Sequence, residues 1–194
     1  MTSLDSFVLR ATLVVFASGG LARAQETTPA PGTSPSIHES HAWLERFAGK
    51  WTTSSESNMG PDQPPMECTG TMESKMLGSL WVTNRMDGKM DQGSFQAIQT
   101  IGFDPEKKRF VGTWTDTMMP YLWVYEGTLD STGNRLTLET EGPDYTGGAG
   151  TKFYRDSYEF LSDDRIISKS EIKDDGGNWN VMMKGTLIRV KTED

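Results

Sequence analysis

The chain has 194 residues, with 19 Lys and Arg against 27 Asp and Glu and a formal net charge of −8. That acidity argues against nucleic acid and anionic membrane surfaces as partners, because phosphate recognition needs clustered Lys and Arg. A single cysteine, Cys68, excludes an internal disulfide, so stability must come from packing, and Cys68 itself reads as a small strand residue rather than a reactive thiol.

Residues 1–24 read as a signal peptide. Phe7 to Phe16 is mostly apolar, Ser18-Gly19-Gly20 is small, and Ala22-Arg23-Ala24 fits the small-x-small pattern of signal peptidase, which predicts Gln25 as the mature start. Asp5 and Arg10 depart from the usual pattern, and the apolar run is too short to span a bilayer. The expectation is a secreted or periplasmic protein with no membrane anchor. Residues 25–36, QETTPAPGTSPS, have almost nothing to bury and read as a disordered linker, so the domain spans 37–194.

From Ser40 to Phe47 the spacing of Trp43, Leu44 and Phe47 predicts a short helix, with Ser40 as N-cap and Gly49 just past its end. Beyond Gly49 there are only short runs rich in Thr, Val, Ile and aromatics. Turn signals divide them: Met59-Gly60-Pro61, Leu77-Gly78, Asp87-Gly88, Asp104-Pro105, Met119-Pro120, Ser131 to Gly133, Gly142-Pro143, Asp163-Asp164 and Asp174 to Gly177. The predicted strands are 50–57, 67–76, 80–86, 95–103, 110–117, 122–129, 135–140, 152–161, 165–172 and 179–190. Short connections favour sequential antiparallel pairing, and about ten such strands tend to close on themselves because closure removes exposed edges.

In a closed barrel the first strand pairs with the last. Gly49 lets the chain turn from helix to strand without a Cβ clash, Trp51 then points into the floor, and Arg189 sits near the end of the last strand in KGTLIRVK. Gly49-x-Trp51 after a short helix, with a terminal Arg, resembles the calycin superfamily of lipocalins and fatty-acid-binding proteins. The resemblance implies an all-β, about ten-stranded, antiparallel up-and-down calycin-like barrel with one short N-terminal helix, in which the Arg stacks across the Trp ring. LERFAGKW, GFDPEKKRFVGTWTDT and YEGTLDSTGNRLTLE resemble more closely the bacterial family called domain of unknown function 1579, from about His41 to Arg189. That family brings no activity with it.

His38 and His41 are the only histidines, and both precede the barrel. Without a Cys or dense carboxylate cluster beside them they read as surface or capping residues rather than metal ligands. Their position also argues against a Ser-His or Cys-His pair or a haem ligand inside the barrel, and no phosphate-cradling glycine motif is present. Soft thioethers such as Met72, Met76, Met118, Met119, Met182 and Met183 suit Cu(I), yet they lack nearby histidines and alternate with strand polarity, which reads as packing. The sequence predicts no cofactor and no metal.

Trp114 and Asp116 share one strand face, and Tyr121, Trp123 and Tyr125 share a face of the next, so a turn at Met119-Pro120 brings them together. Aromatic walls with one or two polar groups suit small-ligand pockets; a solid barrel with Asp116 capping the turn explains the same residues. Arg85, Glu126, Arg155 and Asp156 are the further polar candidates. Alternation leaves open whether Arg155 or Asp156 faces inward, since aromatics accompany both, and an inward Arg would select an anion.

Trp114, Asp116, Trp123, Tyr125 and Arg155 are the predicted ligand-binding residues of a monomeric barrel that holds a small, partly apolar molecule. The alternatives are a cofactor-free lyase or isomerase using Tyr, Arg and Glu, as in the related phenolic acid decarboxylases, and a packed envelope structural or interaction module. A cavity with a Tyr and a carboxylate in hydrogen-bond reach favours the enzyme. Aromatics alone favour binding, and no cavity favours the structural module.

Overall fold

The computed structural model describes residues 37–58 and 64–191. The predicted signal peptide, the linker and the Met59-Gly60-Pro61 turn lie outside these residues. Glu39–Leu44 forms α1, tightened at its end by a 3-10 turn over Glu45–Phe47. The predicted cap is corrected, because His38 rather than Ser40 starts the helix. The His38 ring accepts from the Ser40 amide at 3.1 Å, and His41 Nδ1 accepts from the His38 amide at 2.9 Å. His41 Nε2 therefore carries the proton it donates to Phe103 O at 3.0 Å. Both imidazoles serve the backbone, as a reciprocal capping box does with other side chains.

Ten strands follow among the described residues. They are β1 (Gly49–Ser57), β2 (Met66–Leu77), β3 (Trp81–Met90), β4 (Gly93–Asp104), β5 (Arg109–Asp116), β6 (Trp123–Leu129), β7 (Arg135–Pro143), β8 (Thr151–Ser162), β9 (Arg165–Lys173) and β10 (Trp179–Arg189). Each pairs with its sequence neighbours, and β1 closes the ring on β10. Alternation drives this arrangement: along β6 Trp123, Tyr125 and Gly127 are buried while Val124, Glu126 and Thr128 face solvent. No helix among the described residues is long and apolar enough to cross a membrane.

Two predicted turns are strand instead. β3 continues through Asp87-Gly88 to Met90, since Gly88 lies opposite Phe95, where a Cβ would sit 2.2 Å from the ring. β7 likewise passes Thr140 to reach Pro143, and Gly142 receives the Trp123 ring, 2.3 Å from where a Cβ would stand. These glycines make room for rings and do not break strands.

The floor matches the closure expectation. Trp51 is opposite Arg189 in the β1–β10 register, and the guanidinium carbon lies 4.1 Å from the indole centroid. Arg189 Nη2 donates to Arg46 O and Nε to Asp163 O, both at 2.8 Å, while Nη1 donates to Ala48 O. Gly49, at φ 129°, leaves the room this needs, because a Cβ there would stand 2.7 Å from Arg189 Nη1. The Trp51 indole donates to Phe47 O at 2.8 Å. Helix residues Trp43, Leu44 and Phe47 then plug the end against Phe110, Tyr158 and Phe160, with edge-on rings 5.1–5.8 Å apart.

Candidate functional site

Above the floor the interior becomes polar. Asn84 Nδ2 donates to Gln99 Oε1 at 3.0 Å, and Tyr158 OH donates to the same oxygen at 3.1 Å, all three side chains buried. Beyond this layer, toward the end opposite the helix, the barrel holds a cavity of about 350 Å³. Its size falls within the ~300–1,000 Å³ of small-molecule sites. The hairpin between β5 and β6 supplies one wall. Trp114 and Trp123 are cross-strand partners there, and Asp116, Met119 and Tyr125 complete the wall.

Four of the five predicted ligand-binding residues meet at this cavity: Trp114, Asp116, Trp123 and Tyr125. Asp116 caps the turn, as one of its two readings foresaw, and it also borders the cavity. Its Oδ2 accepts from Trp114 Nε1 at 2.8 Å, and its Oδ1 accepts from the amides of Met118 at 2.7 Å and Met119 at 3.1 Å. It therefore caps the turn and locks the indole in the wall.

Arg155 does not join them. It lies on the outer face of β8, where Nε donates to Glu171 Oε2 at 2.7 Å and Nη2 to Glu171 Oε1 at 3.0 Å, with its guanidinium 4.3 Å above the Trp179 ring. The fork-on-fork pairing holds the Glu171 carboxyl below its usual range. Arg85 and Glu126 also face outward, toward Asp87 and Lys107. Of the predicted polar candidates, Arg85, Glu126 and Arg155 therefore do not join Tyr125 in the interior.

Asp156 takes the inward position on β8. Tyr125 OH donates to its Oδ2 at 2.7 Å and Ser170 Oγ to its Oδ1. Protein surrounds the carboxyl, although part of it faces the cavity. Burial raises its pKa, against the lowering effect of the bonds from Ser170 and Tyr125. Burial, reinforced by the nearby Asp156 charge, also pushes the Tyr125 hydroxyl far above its ordinary value. The Tyr158 hydroxyl moves the same way for the same reasons.

Sequence reasoning missed part of the lining: Tyr145, Tyr154, Cys68 and most of its methionines, including Met66, Met90 and Met182. The signal was available in part. Met66 and Cys68 alternate onto one face of β2, and Cys68 lies opposite Met90 on β3. Burial pushes the Cys68 thiol up, consistent with an unreactive residue. Among the described residues no group of three His, Cys, Asp or Glu is arranged to hold a metal ion.

Comparison with known proteins bears on the fold. A search of curated proteins found no match. The S-type phycobiliprotein lyase CPES from Guillardia theta superposes with a TM-score of 0.55 at 15% identity, covering 82% of this chain and 100% of that one. Rv2717c from M. tuberculosis gives 0.58 at 14% identity, covering 80% and 100%. At such identities the likeness concerns the barrel alone. The family model described as protein of unknown function (DUF1579) matches residues 36–189, and the chain belongs to that family.

Proposed function

We propose that this protein is an exported barrel that binds a small, partly apolar molecule in its open half and releases it unchanged. The observation carrying this reading is the 350 Å³ cavity walled by Trp114, Trp123, Tyr125 and Tyr154. A barrel filled by its own side chains, as a structural module requires, has no such space. Export rests on the apolar segment from Phe7 to Phe16 and the Ala22-Arg23-Ala24 site.

The Tyr125–Asp156 pair favours a second reading, a lyase or isomerase, and one fold neighbour is a lyase by name. Its chemistry argues the other way. A tyrosine whose hydroxyl has been pushed so far up is a poor general acid, and both Asp156 oxygens already accept hydrogen bonds from protein. The inward Arg that would anchor a substrate is absent from the described lining.

Tryptophan fluorescence of the full chain, titrated with a panel of small aromatic molecules, tests binding. A saturable change is expected, and Trp114→Ala should abolish it. Mass spectrometry of the same mixtures separates the two readings: recovered ligand of unaltered mass supports binding, and a converted product supports the enzyme. A panel that leaves the fluorescence unchanged would count against the cavity as a binding site.

A further inference from the structure

Four donors on the aromatic and acidic part of the cavity wall are already committed to protein acceptors. The Trp114 indole gives its N–H to Asp116, Tyr125 and Ser170 give their hydroxyls to Asp156, and Tyr154 OH donates to Pro143 O at 2.6 Å. What these groups turn toward the cavity is therefore ring faces and carboxylate oxygens, joined by the thioethers of Met119 and Met182. Ring faces, thioethers and carboxylates all favour positive charge.

The charges point the same way. Asp116 stands at the rim and Asp156 deep in the interior, and no ion pair among the described residues includes either one. Lys169 and Asp87 border the space from positions that alternate to the outer face of the barrel. Arg155, the cation nearest to Asp156 in sequence, is held outside by Glu171. A carboxylate in a protein interior is ordinarily matched by a cation or loses its charge, and among the described residues no cation forms an ion pair with Asp156.

We infer that the cavity takes an organic cation, a protonated or quaternary amine on an aromatic or short apolar body, with its charge seated between Asp156 and the faces of Tyr125, Tyr154 and Trp123. The inference rests on the binding reading above and gives that reading a sign. Asp116 at the rim and the net charge of −8 favour the approach of such a ligand.

Three probes of one size and three charges test this on the full chain: phenethylammonium, phenethyl alcohol and phenylacetate. Tryptophan fluorescence reports binding, and isothermal titration calorimetry gives an independent reading. The cation should bind about tenfold more tightly than the alcohol, as a desolvated cation–π and carboxylate contact permits, with phenylacetate weakest. Asp156→Asn should bring the cation to within about twofold of the alcohol, since it removes the charge and keeps the shape. If Asp156→Asn fails to fold, the ranking of the three probes on the unaltered protein decides alone. Equal binding of alcohol and cation, or tighter binding of phenylacetate, overturns the charge preference and leaves the binding site standing. If no probe moves either readout, both this inference and the binding reading fall.

Discussion

At the helix end of the barrel the indoles of Trp43 and Trp51 and the guanidinium of Arg189 each donate to a backbone carbonyl, and large rings meet edge to face. At the other end an equally aromatic lining borders open space. The same inward alternation builds both. At the floor, the helix residues Trp43, Leu44 and Phe47 fill the ring of strands, whereas beyond the Asn84–Gln99–Tyr158 layer no segment enters from above among the described residues. The difference assigns packing to one end and leaves a cavity at the other.

Substitutions at the two ends should separate along that line. The largest effect is expected for Trp51→Ala, since truncating a fully buried Trp typically costs about 3–5 kcal/mol. Urea unfolding measures it, and a cost below ~1 kcal/mol would mean that the floor is not the stabilising end. Arg189→Ala should cost about 1.5–3 kcal/mol, the usual worth of a hydrogen bond to a charged group, and the same unfolding curves check it.

Asp156 sharpens the contrast through pH. Its native pKa is raised, so the folded state holds the proton more tightly than the unfolded chain. The group's contribution to stability is then fully present below the unfolded pKa and is lost as pH rises through the native value. As pH rises above about 4, the ordinary carboxyl value, the unaltered protein should lose stability that Asp156→Asn retains. Parallel pH dependence in the two proteins would show that Asp156 titrates as an ordinary carboxyl. The smallest effect on stability belongs to Tyr145→Ala at the rim, within about 0.5 kcal/mol as for a surface substitution. The same variant should weaken binding in the fluorescence titration, because Tyr145 stands beside Trp123 and Tyr154 on the cavity wall.

The floor was readable from the sequence because closure pairs the first strand with the last and because Gly49-x-Trp51 with a terminal Arg resembles the calycin pattern. That resemblance implies an Arg stacked across the Trp ring, and Trp51 and Arg189 adopt this arrangement. The cavity was readable only in part. Trp114, Asp116, Trp123 and Tyr125 follow from alternation about one hairpin. Alternation could not choose between Arg155 and Asp156, since Phe153 and Leu161 accompany one parity and Tyr154 and Tyr158 the other. The choice is made across strands, where Glu171 holds Arg155 outside and Tyr125 with Ser170 receives Asp156 within. Gly88 misled for a related reason: its turn-like dipeptide accommodates Phe95 on the neighbouring strand. The lining methionines look the same as core methionines in a strand pattern, and only the barrel's volume distinguishes them.

Those methionines offer the most direct test of the account. Met72 packs in the core opposite Trp51, and neither it nor Met76 borders the cavity, whereas Met66, Met90, Met119 and Met182 do. With the methionine methyl groups labelled with carbon-13, an NMR titration with phenethylammonium reads both ends of the barrel in one spectrum. The cavity methyl signals should shift with a common saturation curve while those of Met72 and Met76 stay fixed. Shifts confined to Met72 and Met76, or no shift at the cavity methyls at saturating probe, would contradict this expectation.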